Sequence, residues 1–268
     1  MTILFGIFFF IFGTIIGSFL NVVALRYNTG RSNGGRSSCY SCNKALCWYE
    51  LFPLFSFMFL RGRCRSCKSK ISWQYPLVEF VTGVLSLGLF LKFNFLLFGI
   101  FDPLAFLNFA YYFLIFAILV VISVYDFRHK IIPDGLSYAF SLIASLHLFF
   151  GNTSGWDFLA GAIFFLPFYI LWLISGGKWI GLGDGKLVLG IGWLLGLIDG
   201  ISSIVLAFWI GAVVALSAMT YQKLSSRRHR LSFKSEIPFG PFLILGALLI
   251  FFFRWDIMGL HALLSVIQ

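Results

Sequence analysis

The stretch MTILFGIFFFIFGTIIGSFLNVVAL, residues 1–25, contains no Asp, Glu, Lys or Arg, and the first charged side chain is Arg26. A helix that crosses a bilayer needs about 20 apolar residues, so this run is long enough to span from about Ile3 to Leu25. No basic segment precedes it, so it reads as a retained first span rather than a cleaved signal peptide. The rest of the chain continues in the same composition. Of 268 residues, 60% are hydrophobic and only 11% are charged, with 35 Phe, 8 Trp and 10 Tyr. A soluble domain carries about 25% charged residues. This chain therefore lacks the polar surface of an ordinary soluble enzyme, and it is neither a disordered chain nor a disulfide-rich secreted module.

Working outward, further apolar runs are expected to span at about Pro76–Leu97, Leu104–Tyr125, Leu136–Phe150, Phe158–Ser175, Leu187–Ile198, Ile201–Tyr221 and Pro238–Phe253. The predicted fold class is an all-α polytopic membrane protein with about eight transmembrane helices. The run LFPLFSFMFL, residues 51–60, is too short to span and is expected to touch the membrane surface or to pack within its loop. The tail DIMGLHALLSVIQ is assigned to the interface.

The formal charge of +10 comes from 20 Lys and Arg against 10 Asp and Glu. All of these cations except Lys92 and Arg254 fall in the loops after the first, third, fifth and seventh spans. Basic residues collect in cytoplasmic loops, so these loops are assigned to the cytoplasm and both termini to the opposite side. That rule also explains the charge better than nucleic acid does, because no basic stretch lies on a separate soluble fold. The partner implied by composition is the lipid bilayer.

Three polar constellations interrupt the apolar pattern. Cys39-Tyr-Ser-Cys42 and Cys64-Arg-Ser-Cys67 are paired CxxC knuckles in the loop after the first span. Four thiolates suit tetrahedral zinc, and a reducing cytoplasm disfavours disulfides. Cys39, Cys42, Cys64 and Cys67 are therefore expected to hold a structural zinc with no open coordination position. Cys47 stands outside the pattern and reads as an apolar residue. Asp126 ends the third span; taken alone, it is better read as a helix-end carboxylate neutralised by Arg128 or Lys130. Gly181-Leu-Gly183-Asp184-Gly-Lys186 lies between spans five and six. It follows no strand and is not a dinucleotide fingerprint.

Asp126 and Asp184 gain meaning together, since both fall on the same side of the membrane at similar depth. Two carboxylates brought close do not readily both ionise, so one holds a proton while the other polarises water. That is the chemistry of an aspartic protease. Asp134, following Pro133, is expected to cap the fourth span. Glu79 is read as a buried, hydrogen-bonded structural carboxylate at least as readily as a functional one.

These residues resemble the type IV prepilin peptidases, membrane aspartic proteases of the GxGD type. The resemblance rests on Gly17-Ser-Phe-Leu-Asn21 with Arg26, Arg36-Ser-Ser-Cys39-Tyr-Ser-Cys42, Trp48-Tyr49, Pro53 and Ser56. It continues through Leu60-Arg-Gly-Arg-Cys64-Arg-Ser-Cys67-Lys68, Ile71-Ser72 and Tyr75-Pro-Leu-Val-Glu79. Asp126-Phe-Arg128, Ile132-Pro133-Asp134, Gly181-Leu-Gly183-Asp184, Lys186-Leu187 and Pro238-Phe-Gly240-Pro-Phe complete it. Two positions depart from the pattern: Tyr27-Asn28 replaces a Pro-containing turn, and Gly185 replaces a branched apolar residue.

The resemblance implies a catalytic pair, Asp126 and Asp184, that cuts the basic leader from prepilin or pseudopilin substrates at the cytoplasmic face of the bacterial inner membrane. It also implies N-methylation of the new N-terminus with S-adenosylmethionine. Residues 1–100 would form the methyltransferase-associated region and 101–268 the peptidase domain. Two other readings use the same acids differently. In an ion-coupled transporter, Asp126 and Asp184 would be ion ligands, but no inverted repeat is evident. A scaffold with a zinc loop would leave GLGDGK without a role. The charge pattern predicts that a cysteine introduced at Ser226 is labelled from the cytoplasmic face by a membrane-impermeant maleimide. Labelling from the outer face alone would invert the topology.

Overall fold

The computed structural model describes residues 2–30, 34–97, 100–150, 154–224 and 238–255. The chain is a multi-pass, all-helical membrane protein. Its one ladder among the described residues is a two-residue antiparallel pairing, Leu96–Leu97 with Ile100–Phe101. Among the described residues, five helices are long and apolar enough to cross a membrane. The chain divides into two compact units, Met1–Val121 and Ile122–Gln268.

In the first unit, α1 (Thr2–Arg26) packs along α3 (Gln74–Phe93). The exposed face of α1 is as apolar as its buried face: Phe8, Ile11, Ile15 and Phe19 point outward, while Phe9, Leu20 and Ala24 are buried. An outward apolar stripe of this kind suits lipid rather than water. Between the helices the packing is set by small residues. A Cβ on Gly13 would lie 2.6 Å from the Thr82 carbonyl oxygen, and one on Gly17 would lie 2.9 Å from the Glu79 Cα. Where lipid removes the hydrophobic drive, close backbone approach of this GxxxG type supplies the packing. Asn21, 1% exposed, donates from Nδ2 to the Tyr75 carbonyl at 3.2 Å. After α1 the chain turns through Asn28 in a left-handed conformation (φ 56°), so no proline is needed there.

Beyond α3, Asn94 is also left-handed (φ 42°) and folds Phe95 back onto Phe9 and Phe90, with ring centroids 5.2 and 5.5 Å apart. Between α1 and α3 lie the cysteine knuckles, a 3-10 turn (Trp48–Glu50) and a short helix, α2 (Phe55–Phe59). The helix α4 (Pro103–His129) belongs to the first unit up to Val121 and to the second from Ile122.

The second unit contains α5 (Asp134–Ser145), α6 (His147–Phe150), α7 (Gly155–Ser175), α8 (Leu182–Leu224) and α9 (Gly240–Phe253). The helix α8 packs against α5, α7 and α9. It is interrupted at Gly196, whose φ of 77° and ψ of −174° no helix accommodates. The break falls where the sequence separates its sixth and seventh expected spans, two residues inside the assigned end of the sixth. Asp157 explains how it is tolerated. Its Oδ1 accepts the Leu197 N–H at 3.0 Å, while Oδ2 accepts the Ser154 N–H and hydroxyl at 2.8 and 2.9 Å. One carboxylate thereby satisfies the starts of α7 and of the second limb of α8.

The eight expected apolar runs fall on α1, α3, α4, α5 with α6, α7, the two limbs of α8, and α9, of which α5, α6 and α9 are too short to count among the five candidate spans. The third constellation also extends α8: Asp184 is inside its first turn, whereas the Gly-rich sequence reads as a loop to residue 186. The basic stretch from 225 to 236 and the tail from 256 lie outside the described residues.

The α1–α3 seam predicts a difference between two glycines. A Cβ on Gly6 meets only a flexible Leu87 methyl, at 3.2 Å. Gly13→Ala forces backbone apart and should cost about 1–3 kcal/mol, lowering the denaturation midpoint in detergent. Gly6→Ala should be neutral or slightly stabilising through helix propensity. Equal effects would contradict the seam.

Candidate functional site

In the second unit, Asp126 lies in the last turns of α4 and is 3% exposed. It does not stand at a solvated helix end. Its Oδ2 accepts the N–H of Gly240, the first residue of α9, at 3.1 Å. The first N–H groups of a helix have no partner within it and carry the positive end of its dipole, so a carboxylate here is held by both. Gly240 is required for this approach, because a Cβ would stand 2.6 Å from Asp126 Oδ2.

Asp184 lies in the first turn of α8 and is partly buried. Its Oδ2 tucks beside Gly181, 3.4 Å from where a Cβ would be. Ile132, 6% exposed, ties the two acids together. Its Cβ is 2.9 Å from the Cβ position of Gly183, next to Asp184, and its Cδ1 is 3.1 Å from that of Gly240, next to Asp126. The fold thus brings together two acids that are 58 positions apart in sequence.

Asp134 opens α5, as expected, but its carboxylate does not cap that helix: Pro133 takes the N-cap position. Asp134 Oδ1 instead accepts Lys186 Nζ at 2.7 Å, and the ammonium also lies 5.0 Å from the Tyr138 ring centre. This pair joins the start of α5 to the first turn of α8. The motif GLGDGK offers Lys186 as a basic residue but gives no sign of its partner. Gly185 has a packing reason as well. A Cβ there would press on Phe168 and Phe165 of α7, at 3.3 and 3.4 Å.

In the first unit the two knuckles are built alike. Cys39 N–H donates to the Lys44 carbonyl and Asn43 N–H to the Cys39 carbonyl; Cys64 N–H donates to the Ser69 carbonyl and Lys68 N–H to the Cys64 carbonyl. Asn43 and Lys68 are both left-handed, and each knuckle is closed by a bridge, Ser38 with Ala45 and Arg63 with Lys70. The four Sγ atoms lie within 4.8 Å of one another, and those of Cys39 and Cys67 are 3.8 Å apart.

Four sulphurs bound tetrahedrally at ~2.3 Å would lie ~3.8 Å apart, so the cluster fits a metal ion that it could hold. Thiolates are the ligating form. The backbone N–H groups of Cys42 and Ser41 hold the Cys39 thiol down, to about 6, and the Ser69 hydroxyl, 3.1 Å away, holds Cys67 down. Cys47 takes no part; its N–H donates to Glu50 Oε2 at 2.8 Å. Glu79, 7% exposed, accepts the Leu54 N–H at 2.8 Å and anchors the hairpin to α3.

The chain matches the Bacterial Peptidase A24 N-terminal domain over residues 11–93 and the Type IV leader peptidase family over residues 113–216. It is similar to a prepilin leader peptidase/N-methyltransferase of Bacillus subtilis (strain 168), 28% identical over 255 residues, covering 94% of this chain and 96% of that protein. One from Burkholderia pseudomallei (strain 1026b) is 30% identical over 275 residues, covering 91% and 84%. One from Dickeya chrysanthemi is 30% identical over 268 residues, covering 86% of each. No solved structure matches the chain.

Proposed function

The chain belongs to the type IV leader peptidase family, and from that premise we propose that it removes the basic leader of prepilins or pseudopilins and N-methylates the new N-terminus. The observation that carries the peptidase reading is the convergence of Asp126 and Asp184 around Ile132. In the proposed reaction one carboxylate takes a proton from water as the oxygen attacks the scissile carbonyl carbon. The other carboxyl group protonates the departing amide nitrogen as the C–N bond breaks. No acyl-enzyme forms. The Gly240 N–H fixes Asp126 in place, and the buried apolar surround excludes bulk water.

We assign this chemistry to residues 101–268 and the methyltransferase-associated region to residues 1–100. S-adenosylmethionine would supply the methyl group; no residue is assigned to it, and no step is derived through it. The chain is assigned eight crossings of the bacterial inner membrane, with the active site facing the cytoplasm, following the distribution of Lys and Arg. Substrate enters by laying its apolar helix against the spans, while its leader stays in the cytoplasm.

Leader removal from a prepilin in detergent tests the pair. Asp126→Asn and Asp184→Asn should each lose about 10²–10⁴-fold in rate. The double variant should lose little more, because the two acids act as a unit. Asp134→Asn removes only the exposed end of an ion pair, and its rate should stay within about fivefold of wild type. Near-normal cleavage by either Asp126→Asn or Asp184→Asn would refute the mechanism and revive the ion-binding alternative.

We assign zinc to Cys39, Cys42, Cys64 and Cys67. Four thiolates complete the shell, so the metal holds the hairpin and offers no position to substrate. Purified protein should contain about one zinc per chain, and the Cys39→Ser, Cys64→Ser variant should contain none. Methylation should then fall further than cleavage. Unchanged metal content in the variant would reject the site.

A further inference from the structure

The hairpin between α1 and α3 exposes an apolar surface unsuited to water. Trp48, Phe52, Phe55, Met58 and Phe59 are all exposed, Phe59 to 85%. Beside them an open groove of about 690 Å³ runs between the hairpin and the first turns of α3, floored by Leu54, Phe57, Trp73, Pro76 and Phe80. The last two belong to a membrane-spanning helix. Leu77 and Phe80 are exposed on that helix, so the groove opens onto the same apolar face that meets lipid. The Glu79–Leu54 hydrogen bond holds the hairpin at this level.

The same groove is also lined by Arg61, Arg63 and Lys70, all exposed. The two acids of residues 27–80, Glu50 and Glu79, are engaged by the N–H groups of Cys47 and Leu54. Among the described residues, none of these three cations forms a salt bridge.

We propose that this groove is a binding site for an anionic phospholipid, which seats the cysteine hairpin on the membrane. The acyl chain lies along Leu54, Phe57 and Phe80, and the phosphate meets Arg61, Arg63 and Lys70. Continuity with the lipid-facing side of α3 points to a membrane lipid rather than a soluble phosphate. The exposed aromatic residues around the groove enter the headgroup region, where such rings are favoured. Basic residues at the surface supply the attraction to anionic headgroups. The proposal rests on the membrane character of the chain and is independent of the reaction at Asp126 and Asp184.

Native mass spectrometry of the full-length protein in detergent, with equal phosphatidylglycerol and phosphatidylcholine, provides the test. One phosphatidylglycerol should be retained in preference to phosphatidylcholine. The Arg61→Gln, Arg63→Gln, Lys70→Gln variant should retain it at least about tenfold less, with metal content at the wild-type level to show an intact hairpin. Benzoylphenylalanine at position 58 in otherwise unchanged protein should photo-crosslink to lipid in phosphatidylglycerol bilayers. Equal retention of the two lipids, displacement by inorganic phosphate, or crosslinks to protein alone would each overturn the proposal.

Discussion

A helix that starts away from water leaves N–H groups with no partner, and lipid supplies none. Each such group left bare costs about 1–3 kcal/mol. Three carboxylates answer that constraint in the same way. Glu79 takes the Leu54 N–H ahead of α2, Asp157 takes the Leu197 N–H at the restart of α8, and Asp126 takes the Gly240 N–H at the start of α9. In each case the acid sits on a different helical segment from the amide it receives. The few acids in this chain therefore fix where helices begin as well as carrying charge.

The three differ in what else surrounds them. Asp157 has three donors and a wet end at Ser154. Glu79 anchors a hairpin and has no second acid beside it. Asp126 receives one backbone N–H, is 3% exposed, and has the carboxyl group of Asp184 close by. A lone capping acid gains nothing from a like-charged neighbour, because repulsion between them penalises the doubly ionised form. The proposed hydrolytic step draws on this pairing, since it needs one carboxylate to accept a proton while the other carboxyl group donates one.

The features legible in the sequence are local ones. The knuckle cysteines follow from CxxC spacing, since each pair closes within one turn and needs only its own left-handed residue, Asn43 or Lys68. The spans follow from apolar runs, and the α8 break is signalled by the glycines around it. Counting spans assigns Asp126 and Asp184 to one side of the membrane, and the structure brings both against Ile132. What joins them is not local. Ile132 bridges the two sites by its shape alone, and nothing in an isoleucine's identity announces that. The ion pair of Asp134 is equally hidden, because a carboxylate after proline at a helix start suits a cap, whereas its charged partner Lys186 lies more than 50 positions away in sequence.

The cysteine hairpin raises a different problem of stability. A segment this short cannot bury a core of its own, and its large aromatic residues, Trp48 and Phe59 among them, are mostly exposed. It is held instead at two separated points. One is the cysteine cluster, which would tie both knuckles at their tips with the proposed metal bound; the other is Glu79, which ties the intervening turn to α3. The cluster relates the knuckles to each other, and the Glu79 bond relates the intervening turn to α3. An apolar surface between two such anchors stays presented in a fixed direction without being buried by protein. The proposed lipid site would cover that surface.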